Sequence, residues 1–225
     1  MRLKAVVVTV AFFSSIVAHS QWVDYRGWTS LSLSQKVAKK TLASADVAMR
    51  WDRDFSRLGS TFIDASISRE VLKDITASVA LRGGASSTDE YQWESQRRVA
   101  GALRYKNSLN NKSSLSIRLQ GQTGLKGIAP LDLSTAARIK TTYYYKVSKK
   151  HRLSLSTEVF FRPLYSNYEW SDTRFRVAFR KKVRKRKFFT FGYQLETPRN
   201  GPDPWVEHTI ICNFSLEKKR RKSDK

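Results

Sequence analysis

Charged residues that could recognise an anion recur on one side of a two-residue alternation along most of this 225-residue chain. Asp46, Arg50, Asp64, Arg82, Arg98, Arg104, Arg118, Arg138, Lys140, Glu158, Arg162, Arg174, Arg176, Arg180 and Glu196 all fall on the polar parity of their segments. Guanidinium groups present forked donors to carboxylates and phosphates, and rings of positive charge select anions. The arginines outnumber Asp46, Asp64, Glu158 and Glu196. If these residues share the inside of a barrel, two readings follow. Arginines and carboxylates can pair across the interior and plug it. Alternatively, the surplus of arginine can line a path for small anions or acidic oligosaccharides.

Catalytic signals are poor. Beyond the first twenty residues the histidines are His151 and His208. A lipid hydrolase would need a Ser or Thr activated by such a His, with a third group orienting it. Glu207 and Thr209 flank His208, but neighbours on a strand point to opposite faces. The chain contains no GxSxG, HExxH or P-loop pattern and no cluster with metal-ligand spacing. No enzyme activity and no cofactor are therefore expected. Cys212 is the single cysteine, so no internal disulfide can form. It shares the apolar parity of Ile210 and Phe214 and reads as a small lipid-facing residue, not a nucleophile.

The elements that must position these residues are strands. Ala43, Ala45, Val47, Met49 and Trp51 alternate with mostly polar neighbours, as do Ile75, Ala77, Val79 and Leu81, then Leu153, Leu155, Thr157, Val159 and Phe161, then Phe189, Phe191, Tyr193 and Leu195. Successive strand side chains point to opposite faces, so each stretch has one apolar and one polar face. The predicted strands are 28–37, 42–52, 60–69, 74–82, 97–106, 113–123, 135–146, 152–162, 172–181, 188–196 and 206–216. Most approach the ~9–11 residues that cross a bilayer on a tilt. Short connections alternate with longer ones at Arg53 to Gly59, Gly83 to Gln96, Gly124 to Ser134, Pro163 to Ser171 and Thr197 to Trp205. That alternation fits an outer-membrane barrel with short periplasmic turns.

Together these features predict an all-β, closed antiparallel up-and-down transmembrane β-barrel. Single-chain bacterial barrels have even strand numbers. Twelve strands are favoured, with Gln21 to Arg26 as the extra one, and ten are the alternative. The apolar face is expected outside. A barrel this wide is hard to fill with Ala, Val and Leu, and aromatics sit near segment ends at Trp28, Trp51, Tyr105, Tyr143, Tyr145, Phe161 and Phe189, where interfacial girdles belong. A soluble periplasmic barrel holding an apolar ligand is the inverted alternative.

The ends bound the location. Arg2 and Lys4 precede a mostly apolar run from Ala5 to Val17, and Ala18-His19-Ser20 supplies small residues before Gln21. This is the pattern of a cleaved signal peptide over 1–20. It leaves a barrel over 21–216 and a basic tail over 217–225. Net charge is +23, from 42 Lys and Arg against 19 Asp and Glu. Nucleic acid is excluded by export and by the lack of any recognition motif. The expected partners are outer-membrane lipid and small anions or acidic oligosaccharides. Lys39, Lys40, Lys149, Lys150, Lys182, Arg184, Lys185, Arg186, Lys187 and the run Lys218 to Lys222 mark the short turns and the tail. They read either as a solvated rim or as a patch attracting anionic headgroups or an acidic periplasmic partner.

Glu158-Val159-Phe160, then Asp172-Thr173-Arg174-Phe175-Arg176, then Phe191-Gly192-Tyr193, then His208 with a closing strand through Phe214, stand in order along the C-terminal half. This arrangement resembles an uncharacterised family of Gram-negative outer-membrane β-barrels filed as a domain of unknown function (family 2490 of that series), with the likeness running over about residues 28 to 216. The resemblance implies a porin-like barrel fold and an outer-membrane location, and brings no catalytic residue. One departure is the end of the chain: barrels of this membrane commonly end on an aromatic residue, whereas here Phe214 is followed by Lys218-Lys219-Arg220-Arg221-Lys222. The expected function is a structural barrel or a narrow anion-selective channel; a barrel enzyme modifying lipid or lipopolysaccharide is the alternative.

Overall fold

A computed structural model describes residues 22–88, 92–126, 133–164, 167–198 and 205–218. The leader over 1–20 and residues 219–225 of the tail lie outside the described residues. The alternating segments form eleven strands: β1 (Trp22–Ala38), β2 (Thr41–Asp52), β3 (Arg57–Leu72), β4 (Ile75–Ser87), β5 (Trp93–Ser108), β6 (Ser113–Lys126), β7 (Leu133–Lys146), β8 (His151–Leu164), β9 (Asn167–Arg184), β10 (Lys187–Pro198) and β11 (Trp205–Lys218). Each pairs with its sequence neighbour, and β1 pairs with β11 to close a barrel.

The strand number is neither twelve nor ten. An odd count leaves the first and last strands pointing the same way, so the seam is parallel, running from Trp22 opposite Trp205 to Gln35 opposite Lys218. Ten antiparallel ladders and one parallel ladder complete the barrel. The expected extra strand is absent because Trp22 to Arg26 continues into β1 without a turn. The longer connections are also shorter than expected, because the strands run on into them. β5 begins at Trp93 and β9 at Asn167, and β11 takes in Glu217 and Lys218 from the basic tail.

Three short turns use one residue in the left-handed region, Lys40 (φ 67°), Asp74 (φ 66°) and Arg186 (φ 63°). Each sits beside a register shift in its hairpin. This is the pairing of turn and bulge that lets a short connection follow the strand twist.

The apolar face is outside. Val47, Val79, Leu119 and Val177 are each exposed by 46–58%. Their neighbours Ala48, Phe62, Ala100, Ala136, Phe160 and Glu158 are buried on the inner face. A soluble barrel has the opposite arrangement. Of the aromatics expected in an outer girdle, Tyr105, Tyr143, Tyr145 and Phe189 are exposed on the outside. Trp51 and Phe161 are half-buried, and Trp51 lies over Gly27. Trp28 does not belong to the girdle. It shares the parity of Ser30 and Ser32 and points into the barrel, where it meets the Phe62 ring at 6.5 Å. Gly84 is required by close approach: a Cβ there would lie 2.2 Å from the Thr61 carbonyl oxygen and 2.6 Å from Phe62 Cβ.

Candidate functional site: an arginine-lined lumen

Cross-strand registry carries charge around the inner wall. Arg118 on β6 stands opposite Lys140 on β7, Lys140 opposite Glu158 on β8, Glu158 opposite Arg174 on β9, and Arg174 opposite Glu196 on β10. Glu196 then faces Glu207 on β11, which faces Asp24 on β1. On the far wall Asp46, Asp64, Arg82 and Arg98 form a second row across β2 to β5.

The charges assemble into distinct clusters. Glu158 is buried and takes three cations: Arg118 at 3.1 Å, Arg138 at 3.3 Å and Lys140 at 3.6 Å. Asp64 accepts a two-pronged contact from Arg82, with Nε at 2.8 Å and Nη2 at 2.5 Å, and Arg98 approaches at 3.5 Å. Arg174 donates to Glu196 at 2.6 Å, and Arg26 pairs with Glu207. Arg176 donates to the Gln194 side-chain oxygen at 3.1 and 2.5 Å. Arg50 has no carboxylate within ion-pair distance among the described residues. Its guanidinium instead lies 4.2 Å from the Trp28 ring centre and 4.9 Å from that of Phe62. Aromatic faces also hold Arg82, 3.5 Å from Phe62, and Arg174, 4.2 Å from Phe160. Such stacking offsets part of the desolvation of a guanidinium without adding negative charge.

The interior is divided into cavities. The central one, about 580 Å³, is lined by Arg50, Arg82, Arg98, Arg118, Arg138, Lys140, Arg174 and Arg176 against Asp46, Asp64 and Glu158, so eight cations face three carboxylates. A second cavity of about 330 Å³ lies toward the end opposite the short turns and is lined by Asp52, Asp172, Glu196 and Glu207 with Arg26. Trp28, Arg50 and Arg174 line both cavities and form the partition between them. A third, about 260 Å³, opens among the short turns; its charged wall is Lys146, Lys149, Lys150, Arg152, Arg180 and Lys182, with Glu217 as its carboxylate. Among the described residues the lumen is thus weakly acidic at one end, with four carboxylates against Arg26, Arg50 and Arg174, strongly basic in the middle, and basic at the short-turn end.

The inner face holds most of the residues that the alternation singles out. Arg50, Arg82, Arg98, Arg118, Arg138, Arg174 and Arg176 meet in the central cavity with Asp46, Asp64 and Glu158. Glu196 belongs to the acidic cavity instead. Arg180 lies at the short-turn mouth, stacked on Phe188 at 3.9 Å and paired with Glu217 at 3.0 Å. Arg104 shares the inner parity but is exposed and lines none of these cavities. The side chain of Arg162 lies outside the described residues. Sequence reasoning missed the internal aromatics Trp28, Phe62 and Phe160 as partners of arginine. Parity was the signal: Phe62 matches Asp64, and Phe160 matches Glu158.

His208 faces outward, half-buried, whereas Glu207 and Thr209 are buried on the inner face. Its Nδ1 lies 2.5 Å from the Tyr193 hydroxyl, and its ring stacks on Tyr25 at 5.2 Å. No group of His, Cys, Asp and Glu among the described residues is arranged to hold a metal ion.

Residues 25–194 match a family described as "Protein of unknown function (DUF2490)". Among solved structures, the barrel is similar to an anion-selective porin from Comamonas acidovorans, with TM-score 0.38 and 9% identity. The similarity covers 77% of this chain and 55% of the porin, so the chain spans about half the length of that protein. No curated protein matches.

Proposed function

The chain belongs to the DUF2490 family of proteins of unknown function, and we propose that it spans an outer membrane as a barrel whose narrow lumen favours small anions and carries out no catalysis. The aliphatic outer face supports the location, because strands cross a bilayer only with apolar side chains turned to lipid and all edges closed. One observation carries the selectivity: eight cationic side chains face three carboxylates around the central cavity. That surplus creates a positive potential in a low-dielectric wall, which concentrates anions and repels cations. The partition of Trp28, Arg50 and Arg174 makes the lumen better suited to small anions than to acidic oligosaccharides.

Reconstitution in a planar bilayer tests the reading. The expected result is discrete conductance with reversal potentials favouring chloride, reduced in selectivity by Arg138→Gln with Arg176→Gln. Absence of conductance from a barrel shown to be folded by heat-modifiable gel migration would leave only a structural role. Fractionation should place the protein with outer-membrane markers. The absence of catalysis is tested separately: His208→Ala should leave the acyl-chain pattern of phospholipid and lipopolysaccharide unchanged, and a reproducible change would restore the enzyme reading.

A further inference from the structure

The short turns repeat one arrangement. Val37 lies exposed between Lys36 and Lys39 after β1. Val71 and Leu72 are exposed beside Lys73 after β3, and Leu109 between Lys106 and Lys112 after β5. Val147 is exposed between Lys146 and Lys149 after β7, and Val183 between Lys182 and Arg184 near the end of β9. These aliphatics are open to solvent by 51–63%. Every short turn therefore carries a bare aliphatic side chain with a lysine or arginine within three residues of it. Among the described residues, the carboxylates of this end are Glu70, Asp74 and Glu217, and two of them already have partners: Glu70 meets Lys40 at 3.3 Å and Glu217 meets Arg180 at 3.0 Å. The opposite end is mixed in sign: among the described residues Asp24, Asp52, Asp54, Asp172, Glu196 and Glu207 lie near its rim together with Arg26, Arg53, Arg57 and Arg97.

We infer that this collar binds the phosphate headgroups of anionic phospholipid in the leaflet that the short turns face. The inference rests on the membrane-spanning reading above and goes beyond it by naming the lipid. Charge alone would equally suit a soluble polyanion; the aliphatics decide between them. A water-soluble acidic partner gives no reason for a bare Val or Leu at all five turns. A bilayer does: the aliphatic reaches the acyl margin, while the adjacent lysine lays its methylene stem along it and lifts its ammonium to the phosphates. Each cation near an anionic surface adds an attraction of thermal significance that decays within a screening length. The left-handed backbone at Lys40 and Arg186 shows that these positions keep a long cation where Asn or Gly would be easier.

The test is lipid selectivity of the reconstituted full-length barrel, read by electron spin resonance with spin-labelled phosphatidylglycerol and spin-labelled phosphatidylcholine in phosphatidylcholine bilayers. Phosphatidylglycerol is expected to associate about fivefold more strongly at low salt. The preference should collapse in ~1 M salt, where the screening length is about 3 Å. Lys39→Gln with Lys73→Gln and Lys112→Gln, exposed in three of the short turns, should lower it, whereas Arg53→Gln with Arg97→Gln at the opposite rim should not. Equal association of both lipids with an inserted wild-type barrel overturns the collar and leaves the barrel reading intact. A barrel that restricts neither spin-labelled lipid has not inserted, which overturns both. The salt dependence of the unaltered chain keeps the test decisive if the lysine variants misfold.

Discussion

Glu158→Gln isolates the contribution of the internal charge network. Glu158 is 4% exposed and is the shared partner of Arg118, Arg138 and Lys140 at 3.1, 3.3 and 3.6 Å. At an effective dielectric of about 20, each contact contributes an attraction of about 5 kcal/mol before opposing terms. Desolvation of the four groups and repulsion among the three cations offset most of that sum. The near-isosteric amide keeps the volume and removes the charge, leaving three cations without a carboxylate. Breaking a buried pair on one side costs about 3–5 kcal/mol. Lumen water and the amide oxygen both soften that loss, so the expected destabilisation is about 3 kcal/mol. Urea unfolding of the barrel in lipid vesicles, followed by tryptophan fluorescence and gel mobility, measures it. Adding Arg138→Gln should recover part of the loss, because one of the stranded cations is then removed. The same single change raises the positive surplus of the central cavity, so anion preference should increase in any variant that still folds. A loss below ~1 kcal/mol with no recovery in the double variant would refute the view that Glu158 organises the lumen.

Three further expectations follow from the same geometry. Gly84→Ala would drive a Cβ against the Thr61 carbonyl and Phe62 and should destabilise by about 1–3 kcal/mol. Gly101→Ala and Gly121→Ala, where nothing lies within 4 Å, should shift the unfolding midpoint little. Val79→Arg on the outer face should cost about 2–4 kcal/mol in vesicles. Ser78→Arg beside it, on the inner face, should cost clearly less; the reverse order would show that the outer face does not meet lipid. Trp28→Ala removes the ring shared by the central and second cavities and should raise single-channel conductance. Unchanged conductance with retained folding would place the constriction elsewhere.

The strands themselves and the two faces of each are legible in the sequence, because the two-residue period is local. All eleven predicted segments match strands, and Val47, Val79 and Val177 lie outside while Asp64, Arg82 and Glu158 lie inside. Parity is set residue by residue, whereas the choice of which face turns outward rests on the width of the barrel and on the aromatics near strand ends. The lysines of the short turns were equally visible, since a turn of few residues keeps its neighbours in sequence close in space. The closure was not legible. Whether Trp22 begins a new strand or extends β1, and whether β1 meets β11 parallel, depends on bringing together residues nearly two hundred positions apart, and no local pattern specifies that. The ion-pair network was hidden for the same reason. That Arg118 reaches Glu158 from two strands away, or that Arg50 stacks on Trp28 and meets no carboxylate among the described residues, follows from strand tilt, stagger and barrel diameter acting together. The sequence determines which side chains enter the lumen, while the radius and registry of the closed barrel decide which of them meet.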